Sequence, residues 1–260
     1  VIRIGSTLDA YEHYVENLLL DNGGFASRLS TKRFLKKVDK IQPDIVHLHI
    51  IHDHYMNYPM LLKYLADKRI PVVWTQHDQW VTTGHCYYIP EECNRWKCEC
   101  HDCLMSKWFS LDQSRRNFRM KKQLMADIPS LTIVPVSDWL GDNIRQSHLK
   151  EKPIQVIHNG IDLKTFSPQP KNAHSRYCID KNKLIILGVA ALWDKRKGLS
   201  DFYQLAKILP ADKYTIVIVG KLIEERKLIE NGCQIIFIDR TQNALELAHL
   251  YSSSLVFVNP

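Results

Sequence analysis

The stretch that decides the fold is VIHNGIDLKTF, residues 156–166, with Pro168 and Pro170 just beyond it. An apolar, strand-like run ends at Asn159-Gly160, a pair that favours a tight turn because both residues tolerate positive φ. Ile161, Asp162 and Phe166 then lead into the two prolines. Proline fixes its own φ and pushes the preceding residue towards extended backbone, so this exit cannot run directly into a helix. A chain with this pattern leaves one sheet and crosses to another domain.

Working outward, strand and helix patterns alternate on both sides of the crossing. Before it, apolar strands are expected at 44–49, 71–75, 132–135 and 155–157, with helices ending near Lys40, over 59–68 and over 111–127. After it, strands are expected at 184–189, 214–219, 234–238 and 255–258, separated by helical patterns at 199–208, 222–229 and 243–252. Continuous apolar strands alternating with helices predict parallel, doubly wound sheets in an α/β protein. The domain plan is therefore residues 1–155, a link over 156–170, and residues 171–260. A Cys-rich insertion occupies 84–105 in the first domain.

At 260 residues the chain can hold one large α/β domain or two of ordinary size. Its 45% hydrophobic and 24% charged residues describe a globular protein. No apolar run approaches the roughly 20 residues of a membrane-spanning helix, and no secretion signal is evident. A cytoplasmic location is expected, with an optional peripheral contact at the inner face of the membrane. The net charge of +7, from 35 basic and 28 acidic residues, suits anionic partners such as nucleotide phosphates or an anionic lipid surface. None of the signatures of a nucleic-acid module appears, so nucleic acid is not an expected partner. Two features suggest a piece of a longer molecule. Residues 1–40 show no opening strand with a Gly-rich turn, and Asn259-Pro260 directly follows a strand whose edge would be left exposed.

The linker, a strand followed by Asn-Gly-Ile-Asp and then Phe166 and Pro168, resembles the interdomain signature of family 4 glycosyltransferases. The stretch WTQHDQWVTTGHC, residues 74–86, is similar to that of the colanic-acid and capsule subgroup of the family. The resemblance covers the chain from about residue 40 onward. It implies the GT-B architecture, in which two Rossmann-like domains face a cleft. The implied activity is sugar transfer from a nucleoside-diphosphate sugar to a glycan or lipid-linked acceptor, with retention at the anomeric carbon and no catalytic metal. Surface polysaccharide biosynthesis is the implied pathway class.

His77 and Asp78 lie at the carboxyl end of an expected strand, where open α/β sheets bind ligands. By resemblance His77 contacts the transferred sugar, and Asp78 orients it or meets the acceptor. A neutral imidazole can donate to a hydroxyl or accept a proton near neutral pH. His47 and His49 share one side of their strand. His49 is expected on the cleft wall with Asn159, and His47 in a structural role.

In the second half, Gly188 to Gly198 reads GVAALWDKRKG, after a strand and before a helix. A Gly-containing turn there presents N–H groups and a helix dipole to an anion, with Arg196 and Lys197 adding charge. The resemblance makes this the donor-diphosphate site. Lys197-Gly198 match the family's Lys-Gly, whereas its Arg falls on Leu192 by spacing, so Arg196 is assigned that role. Asp239 and Arg240 follow the third strand of this half, near the expected base and ribose. Glu246 matches a position of the helix after it and joins the donor-binding set. The family's paired glutamates would begin after Pro260.

Five of the seven cysteines, Cys86, Cys93, Cys98, Cys100 and Cys103, fall within 18 residues, with His85 and His101 interleaved. This density of thiols and imidazoles suits structural zinc in a reducing compartment, with disulfides or free thiols as the rival readings. The resemblance points to Cys86, Cys93, Cys100 and Cys103 as the shared set and leaves Cys98 extra. Cys178 and Cys233 read as buried thiols. Residues 111–127 carry Arg115, Arg116, Arg119, Lys121 and Lys122 beside Leu111, Phe118, Leu124 and Met125. Such a helix either packs on the core with a solvated basic face or lies on an anionic membrane. Two other functional classes remain open: a sugar-nucleotide hydrolase or epimerase on the same fold, and a non-enzymatic zinc-containing binding module.

Overall fold

The computed structural model describes residues 1–52, 54–105, 111–223 and 232–260. The chain divides into two compact units between Asn159 and Gly160.

The first unit opens with two helices, α1 (Thr7–Leu20) and α2 (Arg28–Ile41). The sequence pattern gave no sign of α1, whose start rests on a capping box between Ser6 and Asp9. Strand β1 (Val46–Leu48), helix α3 (Tyr58–Asp67) and strand β2 (Val72–Gln76) follow. After the Cys-rich segment come α4 (Ser114–Ala126), β3 (Leu131–Pro135) and α5 (Asp138–Arg145). The strands form a parallel sheet in the order β1-β2-β3, with Leu48 opposite Trp74 and Trp74 opposite Ile133. Alternate residues of β2, Val72, Trp74 and Gln76, are buried, as the two-residue period of a strand requires. Trp74 joins Leu62, Leu65, Met125, Ile128 and Ile133 in the core.

The strand expected at 155–157 does not form. Ile133 donates its N–H to Pro153 and accepts one from Gln155, which makes a single parallel bridge to Ile154. The next rung would need an N–H from Pro135, which proline lacks, so only the Ile157 N–H to Pro135 O bond remains. The linker also differs from its sequence reading. Neither Asn159 nor Gly160 has positive φ, and the turn comes later. The Asp162 carboxylate accepts from Lys164 N at 3.0 Å and Thr165 Oγ1 at 2.7 Å, an Asx-type turn that aims the chain at the prolines.

The second unit contains α6 (Ala173–Arg176), β4 (Leu184–Trp193), α7 (Leu199–Ile208), β5 (Tyr214–Leu222), β6 (Gln234–Ile238), α8 (Ala244–Ser253) and β7 (Ser254–Phe257). Its four parallel strands run in the order β6-β5-β4-β7. Successive side chains go to opposite faces. Ile186, Ile216 and Ile218 pack with Phe202, Tyr203 and Ala206 of α7, whereas Ile185, Leu187, Val217 and Val219 pack with Leu250 of α8. The helix expected at 222–229 lies largely outside the described residues.

β4 continues beyond the expected residue 189 through a register shift between Val189 and Leu192, then pairs Leu192 with Lys221. Gly220 allows this shift. It sits at φ +128°, and a Cβ there would lie 1.8 Å from the Ala190 carbonyl oxygen. Gly220→Ala is expected to destabilise the second unit by about 2 kcal/mol or more, from backbone strain plus overlap. Gly160→Ala, with nothing within 4 Å of the added methyl, is expected to change stability by no more than about 0.5 kcal/mol. Urea unfolding of both variants checks the contrast.

Candidate functional site

In the first unit the polar groups gather just past β1 and β2. His49 and His77 are both exposed, and His49 Nδ1 lies 3.0 Å from His77 Nε2 with the rings stacked. His47 bonds Thr75 Oγ1 at 2.8 Å. Asp78 does not serve His77. One of its oxygens accepts the Trp80 N–H at 2.9 Å, and the other meets His52 Nε2 at 2.9 Å. Thus the expected His77–Asp78 partnership is replaced by two pairs, His49–His77 and His52–Asp78. His52 was not singled out in the sequence, although HLHIIHDH spaces four histidines around one strand end. Its ring is only 10% exposed and packs between Trp80 and Tyr87. A cavity of about 260 Å³ opens here, with Asn17, His52, Trp80, His85 and Tyr87 in its wall.

The Cys-rich segment packs behind this wall. Cys86 and Cys103 sulfurs lie 3.8 Å apart, and His85 Nε2 lies 3.1 Å from Cys103 Sγ. His85 Nδ1 bonds Asp21 at 2.8 Å. Burial opposes a charge on His85, but Asp21 and Cys103 raise its pKa to about 10. The Cys86 hydrogen bond leads in lowering the pKa of Cys103, and the same contact pushes Cys86 upward. Cys93 and Cys100 are not within the close His85-Cys86-Cys103 group and pack with Trp96 and Phe118. Cys98 is exposed. Cys178 is exposed too, contrary to its sequence reading, at a left-handed position with φ 54°.

Helix α4 keeps Arg115, Arg116 and Arg119 at the surface, each with a partner, and buries one cation. Arg115 and Arg119 pair with Glu99, and Arg116 bonds Asn22 and lies 4.7 Å from the Phe25 ring centroid. Lys121, expected on the basic face, is instead fully buried, with Nζ 2.6 Å from the Trp80 carbonyl and 3.9 Å from its ring centroid. Burial pushes its pKa down to about 7.

In the second unit, a cleft of about 630 Å³ lies at the carboxyl ends of β4, β5 and β6, lined by Ala190, Gly220, Lys221, Asp239, Arg240 and Thr241 among others. Two expected donor-site residues, Asp239 and Arg240, are therefore together. Lys221 was missed, although VIVGK at a strand end was a readable signal. Gly188 needs a different account. It lies inside β4 opposite Ile218, and a Cβ there would meet Phe202 at 2.5 Å. It is a packing glycine, not part of an anion-binding turn. Arg196 and Lys197 sit on a short 3-10 turn, Lys195–Lys197, before α7 and are not among the cleft's lining residues. Arg196 pairs with Asp194 at 2.6 Å, which holds that carboxyl below its usual range.

Glu246 is also corrected. Its carboxylate accepts from Arg176 Nε at 2.9 Å, Tyr177 Oη at 2.6 Å and Gln242 N at 2.5 Å, and only 9% of the residue is exposed. It ties α8 to α6 and does not line the cleft. Asn159 is exposed on the boundary between the units.

Two α/β units built on parallel sheets define the fold of the GT-B glycosyltransferases. A solved structure of the Anabaena protein HepE with UDP and glucose shows the likeness, with a TM-score of 0.55 at 14% identity, over 92% of this chain and 57% of that one. Residues 7–165 match the model of Glycosyltransferase Family 4, and the chain belongs to that family. WcaC of Escherichia coli (strain K12), named as a colanic acid biosynthesis glycosyl transferase, is 24% identical over 72% of this chain and 51% of its own length. Alpha-monoglucosyldiacylglycerol synthase of Acholeplasma laidlawii is 26% identical over 78% of this chain and 50% of its own. The chain spans about half the length of the curated relatives it matches.

Glu246→Gln is expected to cost about 1 kcal/mol at neutral pH, because three donors, two of them exposed, lose a charged acceptor. Burial opposes the charge, but Tyr177, Gln242 and Arg176 lower the folded pKa. Stability from the carboxylate is therefore present above the unfolded pKa and lost as pH falls through the folded one. Wild type and variant should converge in acid, as thermal melts across pH would record.

Proposed function

We propose that the protein acts in a retaining glycosyl transfer, from a nucleoside-diphosphate sugar to a glycan or lipid-linked acceptor in surface polysaccharide synthesis. The observation that carries the reading is the second-unit cleft, where Lys221, near the end of β5, meets Asp239 and Arg240, which follow β6. This is the position at which open α/β sheets bind nucleotides. Lys221 and Arg240 supply charge for a diphosphate, and Asp239 can accept from ribose hydroxyls. The HepE structure holding UDP and glucose supports a nucleotide-sugar donor. WcaC supports a polysaccharide acceptor, and the Acholeplasma enzyme's name supports a lipid acceptor as the variant.

In the reaction, the bond from the anomeric carbon to the donor phosphate oxygen breaks and one to an acceptor oxygen forms. The acceptor loses a proton, and the nucleoside diphosphate leaves with the bonding pair. Cations fixed beside the diphosphate stabilise the charge that grows there. His77, held against His49, offers a ring nitrogen to the sugar hydroxyls. The scheme uses no catalytic metal. A peripheral membrane contact through the exposed face of α4, which carries Arg115, Arg119 and Lys122, is an addition that the scheme does not need. Among the described residues no helix is long and apolar enough to cross a membrane.

In the enzyme assembled at its natural length, His77→Ala is expected to remove most transfer while leaving nucleoside-diphosphate affinity nearly intact. Lys221→Ala should weaken nucleotide affinity by about 10-fold or more, the worth of one charge-assisted contact. Calorimetric titration with nucleoside diphosphates, paired with transfer assays, separates the two. Full turnover by the His77 variant, or unchanged affinity in the Lys221 variant, would break the corresponding assignment. Free sugar released without an acceptor would identify a hydrolase instead.

A further inference from the structure

We propose that the Cys-rich segment holds one tetrahedral zinc ion, bound by His85 Nε2 and the sulfurs of Cys86, Cys100 and Cys103. The ligand set differs from four cysteines. His85, Cys86 and Cys103 already place one donor atom each within 4.8 Å of one another. The 3.8 Å between the Cys86 and Cys103 sulfurs is close to the separation of two thiolates on one tetrahedral zinc, given Zn–S bonds of about 2.3 Å. His85 is arranged as a zinc-bound histidine usually is. One nitrogen points at the sulfur pair, and the other is fixed by a carboxylate, Asp21, at 2.8 Å. Asp21 is itself held by the Gln113 N–H at 2.9 Å.

Cys100 supplies the fourth ligand. Its buried sulfur accepts the Gly84 N–H at 3.3 Å, one residue before His85. Gly84 is obligatory in that packing, since a Cβ would lie 2.4 Å from the Ser114 carbonyl at the start of α4. Cys93 shares the Trp96 cluster with Cys100, but among the described residues no hydrogen bond like that from Gly84 N–H ties its sulfur to the residues around His85.

A second observation comes from charge. The Lys121 ammonium is fully buried against the Trp80 carbonyl and ring, and among the described residues no carboxylate lies within ion-pair distance of it. A buried cation without a counter-charge costs several kcal/mol. Zinc with three thiolates and a neutral imidazole would carry a net charge of −1, opposite in sign to the Lys121 ammonium. The metal would thereby fasten residues 83–105 to α4 and to the Trp80 turn that carries the Asp78 contact.

The test begins with zinc analysis of the purified chain, produced without a histidine tag. About one zinc per chain is expected, and absorption at the zinc edge should show three sulfurs near 2.3 Å and one nitrogen near 2.0–2.1 Å. Cys86→Ser, Cys100→Ser, Cys103→Ser and His85→Gln should each lose the metal, while Cys93→Ser and Cys98→Ser keep it. Because some variants can fail to fold, the wild-type chain is also melted with and without a strong chelator. The chelator should lower Tm, and added zinc should restore it. Metal-free protein with a melt indifferent to chelator, a Cys86–Cys103 disulfide in the unreduced peptide map, or a shell of four sulfurs would each overturn the proposal.

Discussion

Central strands of a parallel sheet covered on both faces leave little room for polar side chains, and that constraint organises the second unit. In the second unit, Ile185 to Leu187 and Ile216 to Val219 are committed alternately to α7 and α8. Charged and hydrogen-bonding groups are displaced to where the strands stop. His49, His77, Lys221, Asp239 and Arg240 all lie at or just beyond a carboxyl-terminal strand end. The chemistry is therefore located by exclusion before it is located by any motif.

That exclusion explains why much of the fold was readable. Strands such as IVHL and QIIFI have few other ways to bury such continuous apolar runs, and β6 and α7 fall where the pattern put them. The misreadings share a cause: each depended on a neighbour distant in sequence. Residues 155–157 look like a strand, but whether they pair fully is decided by Pro135 twenty residues earlier. Gly188 looks like a loop glycine until Phe202 is seen filling the space above it. Glu246 matches a family position by spacing, yet Arg176 and Tyr177 have taken its carboxylate. Lys121 is one of several basic residues on a helix, and only tertiary packing sends it under Trp80.

The candidate site was legible to the degree that its residues follow a strand directly. His77, Asp239 and Arg240 meet that condition. Lys221 sits one residue before the end of β5 and His52 four residues after β1, so neither meets it. His52 was overshadowed by the HD pair at 77–78, and Lys221 by the more heavily charged KRK run at 195–197. Asp194 answers part of that run, pairing with Arg196 on the turn before α7. A cluster of cations is a weak pointer when the acid that answers it is two residues away.

The link between the units has a consequence of a different kind. Asn159 is exposed, its backbone is outside the left-handed region, and a methyl placed on Gly160 would touch nothing within 4 Å. An asparagine followed by an uncrowded glycine is the arrangement in which the next backbone nitrogen most readily attacks the side-chain amide. The resulting succinimide opens to aspartate or isoaspartate, the latter with an extra methylene in the main chain. The boundary between the units thus carries the Asn-Gly arrangement open to this rearrangement, which would add a negative charge and, in the isoaspartate form, lengthen the backbone.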